Sequence, residues 1–142
     1  MKKILIIDKS TVIRNVIKNL LLDNQRINIY EASSKEEVEM LIQENNFFIA
    51  ISNLFSSDNS NFELLEKRNI PTIIFSSSLE SEILNKYSNI IDYVLKDSNG
   101  FKYIDKLISA MLFCCDENVL LVEDSDTVSN QIKDILKKLL LK

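Results

Sequence analysis

The sequence predicts an α/β protein: a doubly wound, five-stranded parallel sheet in the order 2-1-3-4-5, with helices on both faces. Two observations carry that expectation. Five short apolar runs alternate along the chain with five segments of helical period, and such alternation implies parallel strands joined by right-handed crossovers. The first run, Ile4 to Ile7, is apolar at every position, which is the pattern of a strand covered on both faces. For a doubly wound sheet of five strands the order 2-1-3-4-5 is the natural candidate. In such sheets function gathers at the carboxyl ends of the strands, near the switch in strand order.

The elements come in sequence. After Ile4 to Ile7, Ser10 or Thr11 caps a helix in which Val12, Ile13, Val16, Ile17, Leu20 and Leu21 recur at helical spacing. Ile27 to Tyr30 reads as the second strand. Ser33 or Ser34, followed by Glu36 and Glu37, opens a helix carrying Val38, Leu41 and Ile42. Phe47 to Ile51 is the third strand. Residues Ser52 to Asn61, rich in Ser and Asn, form a loop. A short helix spans Phe62 to Lys67, and a fourth strand, Thr72 to Phe75, comes after Pro71. Leu79 to Tyr87 is helical and Ile91 to Leu95 is the fifth strand. Phe101 to about Phe113 is a helix with Ile104, Leu107, Ile108 and Met111 inward.

The chain then begins again. Asn118 to Leu136 repeats the pattern of Lys3 to Leu21, with Leu5, Ser10, Asn15, Ile17, Lys18 and Leu21 recurring as Leu120, Ser125, Asn130, Ile132, Lys133 and Leu136. A repeat at domain length signals tandem copies rather than a solenoid. The expected organisation is a domain at 1–116, followed at 117–142 by the first strand and helix of a second domain cut short. One strand and one helix cannot form a core alone. The leucine-rich end, Leu136 and Leu139 to Leu141, is apolar enough to need a partner. Lys133, Lys137 and Lys138 suit the negative end of that helix.

Composition narrows the function classes. At 142 residues the chain suits one domain or a domain plus a fragment, with enough core to fold without a staple. Apolar residues at 46% and charged residues at 27% are the balance of a soluble globular protein. A net charge of -4 argues against a nucleic-acid face, which needs cations to displace counterions. With no His and only the adjacent pair Cys114-Cys115, a structural zinc site is not expected. Adjacent cysteines strain a shared disulfide, so the context reads as reduced and cytoplasmic. The basic start, Met1-Lys2-Lys3, is followed by an apolar run that stops at Asp8, too short for a signal peptide or a membrane span.

A site can be assembled from the residues at the end of each apolar run. Asp8-Lys9-Ser10 succeeds the first, Ser52-Asn53 the third, Ser76-Ser77 the fourth and Lys96 the fifth. These residues resemble the response-regulator receiver family of two-component phosphorelay signalling. IIDKS looks like that family's acidic pair and AISNL like its phosphoacceptor turn. PTIIFSSS looks like its hydroxyl-bearing strand end, and DYVLK like its lysine. The resemblance covers residues 2–115 and implies the flavodoxin-like fold.

Carried over residue by residue, the resemblance implies an incomplete site. The family has an aspartate nucleophile where Asn53 stands, and a neutral amide cannot form an aspartyl phosphate. The second member of the acidic pair is Lys9. Asp8 is thus outnumbered by Lys9 and Lys96, and the family's Mg²⁺, a hard cation that wants charged oxygens, is expected to be lost. No other cofactor is expected. Two placements of Lys9 stay open: its ammonium lies where the cation would sit, pairing with Asp8 and Asn53, or it points into solvent. Ser76 matches the switch hydroxyl and Tyr93 the aromatic switch, both expected as static packing residues. Asp58 is the nearest spare carboxylate to Asn53. In the second copy, Glu123-Asp124 restores an acidic pair.

The expected function is a non-enzymatic pseudo-receiver: a protein-interaction or regulatory module forming the N-terminal part of a longer, tandem response regulator. Implied partners are a second receiver, an output domain or another subunit, with homodimerisation through Leu79 to Tyr87, Ile91 to Leu95 and Phe101 to Phe113. Neither nucleic acid nor membrane is an expected partner. The alternatives are a receiver phosphorylated on an atypical acceptor, or a regulatory input to a diguanylate cyclase output domain. A small enzyme or nucleotide binder is disfavoured, because the chain lacks His, a nucleophile–base pair and a Gly-rich loop, Gly100 being its one glycine.

Overall fold

The computed structural model describes residues 1–23, 26–54, 60–78 and 81–117. Ten elements alternate without exception: β1 (Lys2–Ile7), α1 (Thr11–Leu21), β2 (Ile27–Ala32), α2 (Lys35–Glu44), β3 (Ile49–Ser52), α3 (Ser60–Lys67), β4 (Thr72–Ser76), α4 (Ser81–Lys86), β5 (Ile90–Leu95) and α5 (Ser98–Glu117). The strands form one parallel sheet in the expected order β2-β1-β3-β4-β5.

Alternation along β1, β3 and β4 divides the core into two layers. Ile4 and Ile6 of β1, Ile49 and Ile51 of β3, and Ile73 and Phe75 of β4 pack with Ile17, Leu21, Ile104, Leu107, Ile108, Met111 and Leu112 of α1 and α5. Leu5, Ile7, Ala50 and Ile74 face the other way, against Val38, Ile42, Phe62, Leu65 and Ile83 of α2, α3 and α4. The central strands β1, β3 and β4 are buried along most of their length because each lies between two helical layers. No helix among the described residues is long and apolar enough to cross a membrane.

The caps resolve both sequence alternatives. Ser10 caps α1, its Oγ accepting from the Ile13 amide at 3.3 Å, and Ser34 caps α2, accepting from the Glu37 amide at 3.3 Å. Three expectations are corrected by geometry. Val12 and Val16, counted among the apolar periodicity of α1, lie 69% and 37% exposed, because a helix presents a stripe of limited width to the core and Ile13, Ile17 and Leu21 fill it. Helix α5 runs from Ser98 to Glu117, about one turn longer at the start than the apolar pattern suggests. Its start is set by Asp97, whose Oδ1 accepts from the Gly100 amide at 2.7 Å and whose carbonyl accepts from Phe101 at 3.1 Å. The third strand begins at Ile49 rather than Phe47, which packs edge-on against Tyr30 instead of pairing. The repeat at 118–142, with Glu123 and Asp124, lies outside the described residues, as do Asp58, Leu79 and Glu80.

Gly100 makes the close approach of α5 to β5. A Cβ there would stand 1.9 Å from the Leu95 carbonyl oxygen, a backbone atom that a side-chain rotation cannot move away. Gly100→Ala is therefore expected to destabilise the domain by about 1–3 kcal/mol, read from the urea midpoint at constant m-value.

Candidate functional site

Register brings the sequence-predicted residues to one end of the sheet. Ile7 pairs with Ser52, and the Asn53 amide donates to the Ile7 carbonyl at 2.9 Å, so Asp8 and Asn53 leave adjacent strands side by side. Ser76 pairs with Leu95, and the Lys96 amide donates to the Ser76 carbonyl at 2.9 Å. Asp8, Asn53, Ser76 and Lys96 thus stand at the carboxyl ends of β1, β3, β4 and β5. Strands β1 and β5 are not neighbours; β3 and β4 lie between them.

Lys96 crosses that interval. Its Nζ lies 2.7 Å from Asp8 Oδ2, with side chains only 14% and 5% exposed. The other oxygen, Oδ1, accepts from the Ser10 amide at 2.8 Å. Both carboxylate oxygens are engaged by donors within the chain, the condition under which a buried charge is tolerated. Lys9 is exposed, and the ammonium that reaches Asp8 Oδ2 is that of Lys96.

The turn at Asn53 is held by polar bonds. Ser52 Oγ donates to the Asn53 carbonyl at 3.0 Å, and Asn61 Nδ2 of α3 donates to Ser52 Oγ at 3.0 Å. Ser52 and Asn61 are both buried, so the first turn of α3 is fastened to the end of β3. Ser76 is buried as well, and its Oγ accepts from the Ser78 amide at 3.3 Å. Tyr93 is half-buried and its hydroxyl donates to the Ser78 carbonyl. Ser76 and Tyr93 therefore meet at one residue, Ser78 in the loop after β4.

Three residues of this neighbourhood escape sequence reasoning. Arg14 donates to the Asp8 carbonyl through one terminal nitrogen and through Nε to Glu31 Oε1 at 3.1 Å. Lys18, one helical turn on, donates to Glu31 Oε2 at 2.9 Å. Glu31, near the end of β2, is thus clamped by two cations of α1. The signal is present in the sequence: an acid in a mostly apolar strand needs a partner, and Arg14 and Lys18 share a helix face at i, i+4 spacing. The hydrogen bond from Lys18, opposed by partial burial and reinforced by Arg14, holds the Glu31 carboxyl below its ordinary value of 4.5.

No family model and no curated protein matches the chain. Solved structures do. The receiver domain of a Francisella response regulator is 24% identical, with 82% of this chain and 100% of that one covered at a TM-score of 0.66. A two-component response regulator from Clostridium difficile is 23% identical, with 82% of this chain and 100% of that one covered at a TM-score of 0.68. A probable two-component response regulator with a GGDEF domain is 24% identical at a TM-score of 0.73. There 99% of this chain is covered, and the chain spans 59% of that protein's length.

The clamp on Glu31 predicts a pH dependence. A carboxyl ionising below its ordinary value contributes stability that is complete above 4.5 and is lost as pH falls through its folded pKa. Urea midpoints measured between about pH 3 and 6 should therefore fall more steeply in the wild type than in Glu31→Gln. The likeness to these solved structures and the strand order agree: the fold is the flavodoxin-like fold of receiver domains, as the resemblance implied.

Proposed function

We propose that the chain is a receiver-type domain that takes no phosphoryl group and serves two-component signalling as a non-enzymatic protein-interaction module, the N-terminal part of a longer cytoplasmic response regulator. The observation that carries this reading is the end of the sheet itself. Asn53 stands at the acceptor turn with its backbone held on both sides, and its side chain is an amide without nucleophilic character. Beside it, the Asp8 carboxylate is already engaged by Lys96 and by the Ser10 amide.

The same donor set does not fit Mg²⁺. That ion asks for an octahedral shell of oxygens, normally with one or two unengaged carboxylates among them. Here the offered groups are one carboxylate already paired with Lys96 and one amide, and a lysine, Lys9, stands at the position of the family's second acid. Among the described residues no group of three His, Cys, Asp or Glu is placed to hold a metal. Ser76 and Tyr93, in this reading, are fixed by their bonds to Ser78 and await no phosphoryl group.

A more specific reading makes the chain a regulatory input to a diguanylate cyclase output domain. It is favoured by one observation: two solved proteins described as response regulators with GGDEF domains cover 99% of this chain at TM-scores of 0.72 and 0.73. In that reading the second, repeated segment with Glu123 and Asp124 opens a receiver whose own acidic pair is intact.

Incubation with acetyl phosphate and Mg²⁺, followed by intact-mass measurement, tests the proposal. The wild type is expected to gain no phosphoryl mass, and the Asn53→Asp, Lys9→Asp double variant to gain one acid-labile phosphoryl group. A wild type that gains the group sinks the proposal and directs the search to another acceptor, with Asp58 first.

A further inference from the structure

Strand β5 breaks the alternation that the other strands keep. Its pairing with β4 runs Thr72 with Ile90 and then Ile73 with Asp92, so the register passes over Ile91. One extra residue in a strand reverses which face every later side chain meets. Ile90 packs in the α2–α3–α4 layer and Ile91 in the α1–α5 layer. Past the bulge Tyr93 packs against the α2–α3–α4 layer and Val94 against the α1–α5 layer, the reverse of strict alternation from Ile91. Without the bulge Tyr93 would face α5, and its hydroxyl could not reach Ser78.

Asp92, the first residue past the bulge, is fastened twice. Its Oδ1 accepts from the Tyr93 amide at 2.8 Å, and its Oδ2 accepts from the Tyr103 hydroxyl of α5 at 2.5 Å. The first bond supplies an acceptor to a backbone donor on the last strand of the sheet. The second ties that strand to the helix behind it. Burial, reinforced by the Asp92 carboxylate, pushes the Tyr103 hydroxyl well above its ordinary range, so it remains a donor at neutral pH.

We infer that Tyr103 and Asp92 form a lock that sets the bulged register of β5 and so holds Tyr93 and Ser78 in a single arrangement. Tyr103 is a positioning residue, acting on Tyr93 and Ser78 through the Asp92 carboxylate. The chain of contacts runs from Tyr103 hydroxyl to Asp92, from Asp92 to the Tyr93 amide, from the Tyr93 hydroxyl to the Ser78 carbonyl, and from the Ser78 amide to Ser76 Oγ. It connects α5 to the buried hydroxyl at the end of β4. The lock does not depend on whether Asn53 accepts a phosphoryl group, because neither Asn53 nor Asp8 belongs to it.

Amide NMR and hydrogen exchange on four variants of the full chain test the lock. Tyr103→Phe and Asp92→Ala should each shift the Tyr93 and Ser78 amides and lower protection at the Tyr93 amide by about tenfold. Asp92→Asn, which retains an acceptor oxygen, should restore much of that protection. Tyr93→Phe should shift Ser78 while leaving the Asp92 and Tyr103 resonances in place, because it cuts the chain downstream of the lock. The inference is overturned if Tyr103→Phe remains folded and its shifts stay within α5 and Asp92. It is equally overturned if Tyr93→Phe disturbs Tyr103 as strongly as it disturbs Ser78. Should Tyr103→Phe fail to fold, Asp92→Ala and Tyr93→Phe carry the same two decisions.

Discussion

An ammonium and a carboxylate meet at 2.7 Å where water scarcely reaches, and the carboxyl end of the sheet is arranged around them. Placing either charge there alone would cost several kcal/mol, and together, with the Ser10 amide on the second carboxylate oxygen, they are tolerated. The pair also has a mechanical consequence. Asp8 ends β1 and Lys96 ends β5, so their bond passes over the ends of β3 and β4, where Asn53 and Ser76 stand. Lys96 closes that interval from within the chain.

That closure makes sense of the surrounding polar groups. Arg14 grips the Asp8 carbonyl and leans on Glu31, which steadies the loop carrying the carboxylate. Ser52 and Asn61 steady the turn carrying Asn53. Ser76 and Tyr93 converge on Ser78. Asp8, Asn53 and Ser78, in the segments that leave β1, β3 and β4, are thus each held by contacts internal to the chain. Such internal ties suit the proposed role as a docking module better than a role that requires switching.

Much of this is legible in the sequence alone. Apolar runs of strand length, separated by capped helical segments, specify a sheet covered on both faces, and the residues at the end of each run gather at one edge of it. The hidden remainder has physical causes. Periodicity finds apolar residues but cannot tell which of a crowded helix reach the core, so Val12 and Val16 read as inward and yet meet solvent. A bulge leaves no mark in IIDYVL, because Ile91, Asp92 and Tyr93 suit either face until Tyr103 arrives from α5 to bind Asp92. Two lysines could answer Asp8. Lys9 adjoins it in sequence, and the strand order brings Lys96 to the carboxylate. Arg14 and Glu31 are far apart in sequence and become neighbours only when β2 pairs with β1.

Asp8 is the carboxylate that a cation at this end of the sheet would need, and Lys96 holds it. Side-chain ammonium NMR of the full chain during a Mg²⁺ titration addresses that most directly. The Lys96 ammonium and the Ser10 amide are expected to keep their shifts through millimolar Mg²⁺, in the wild type and at neutral pH. A saturable shift of both signals, abolished by Asp8→Ala, would mean that the cation displaces Lys96 from Asp8 and that the ion pair is a resting state of a metal site.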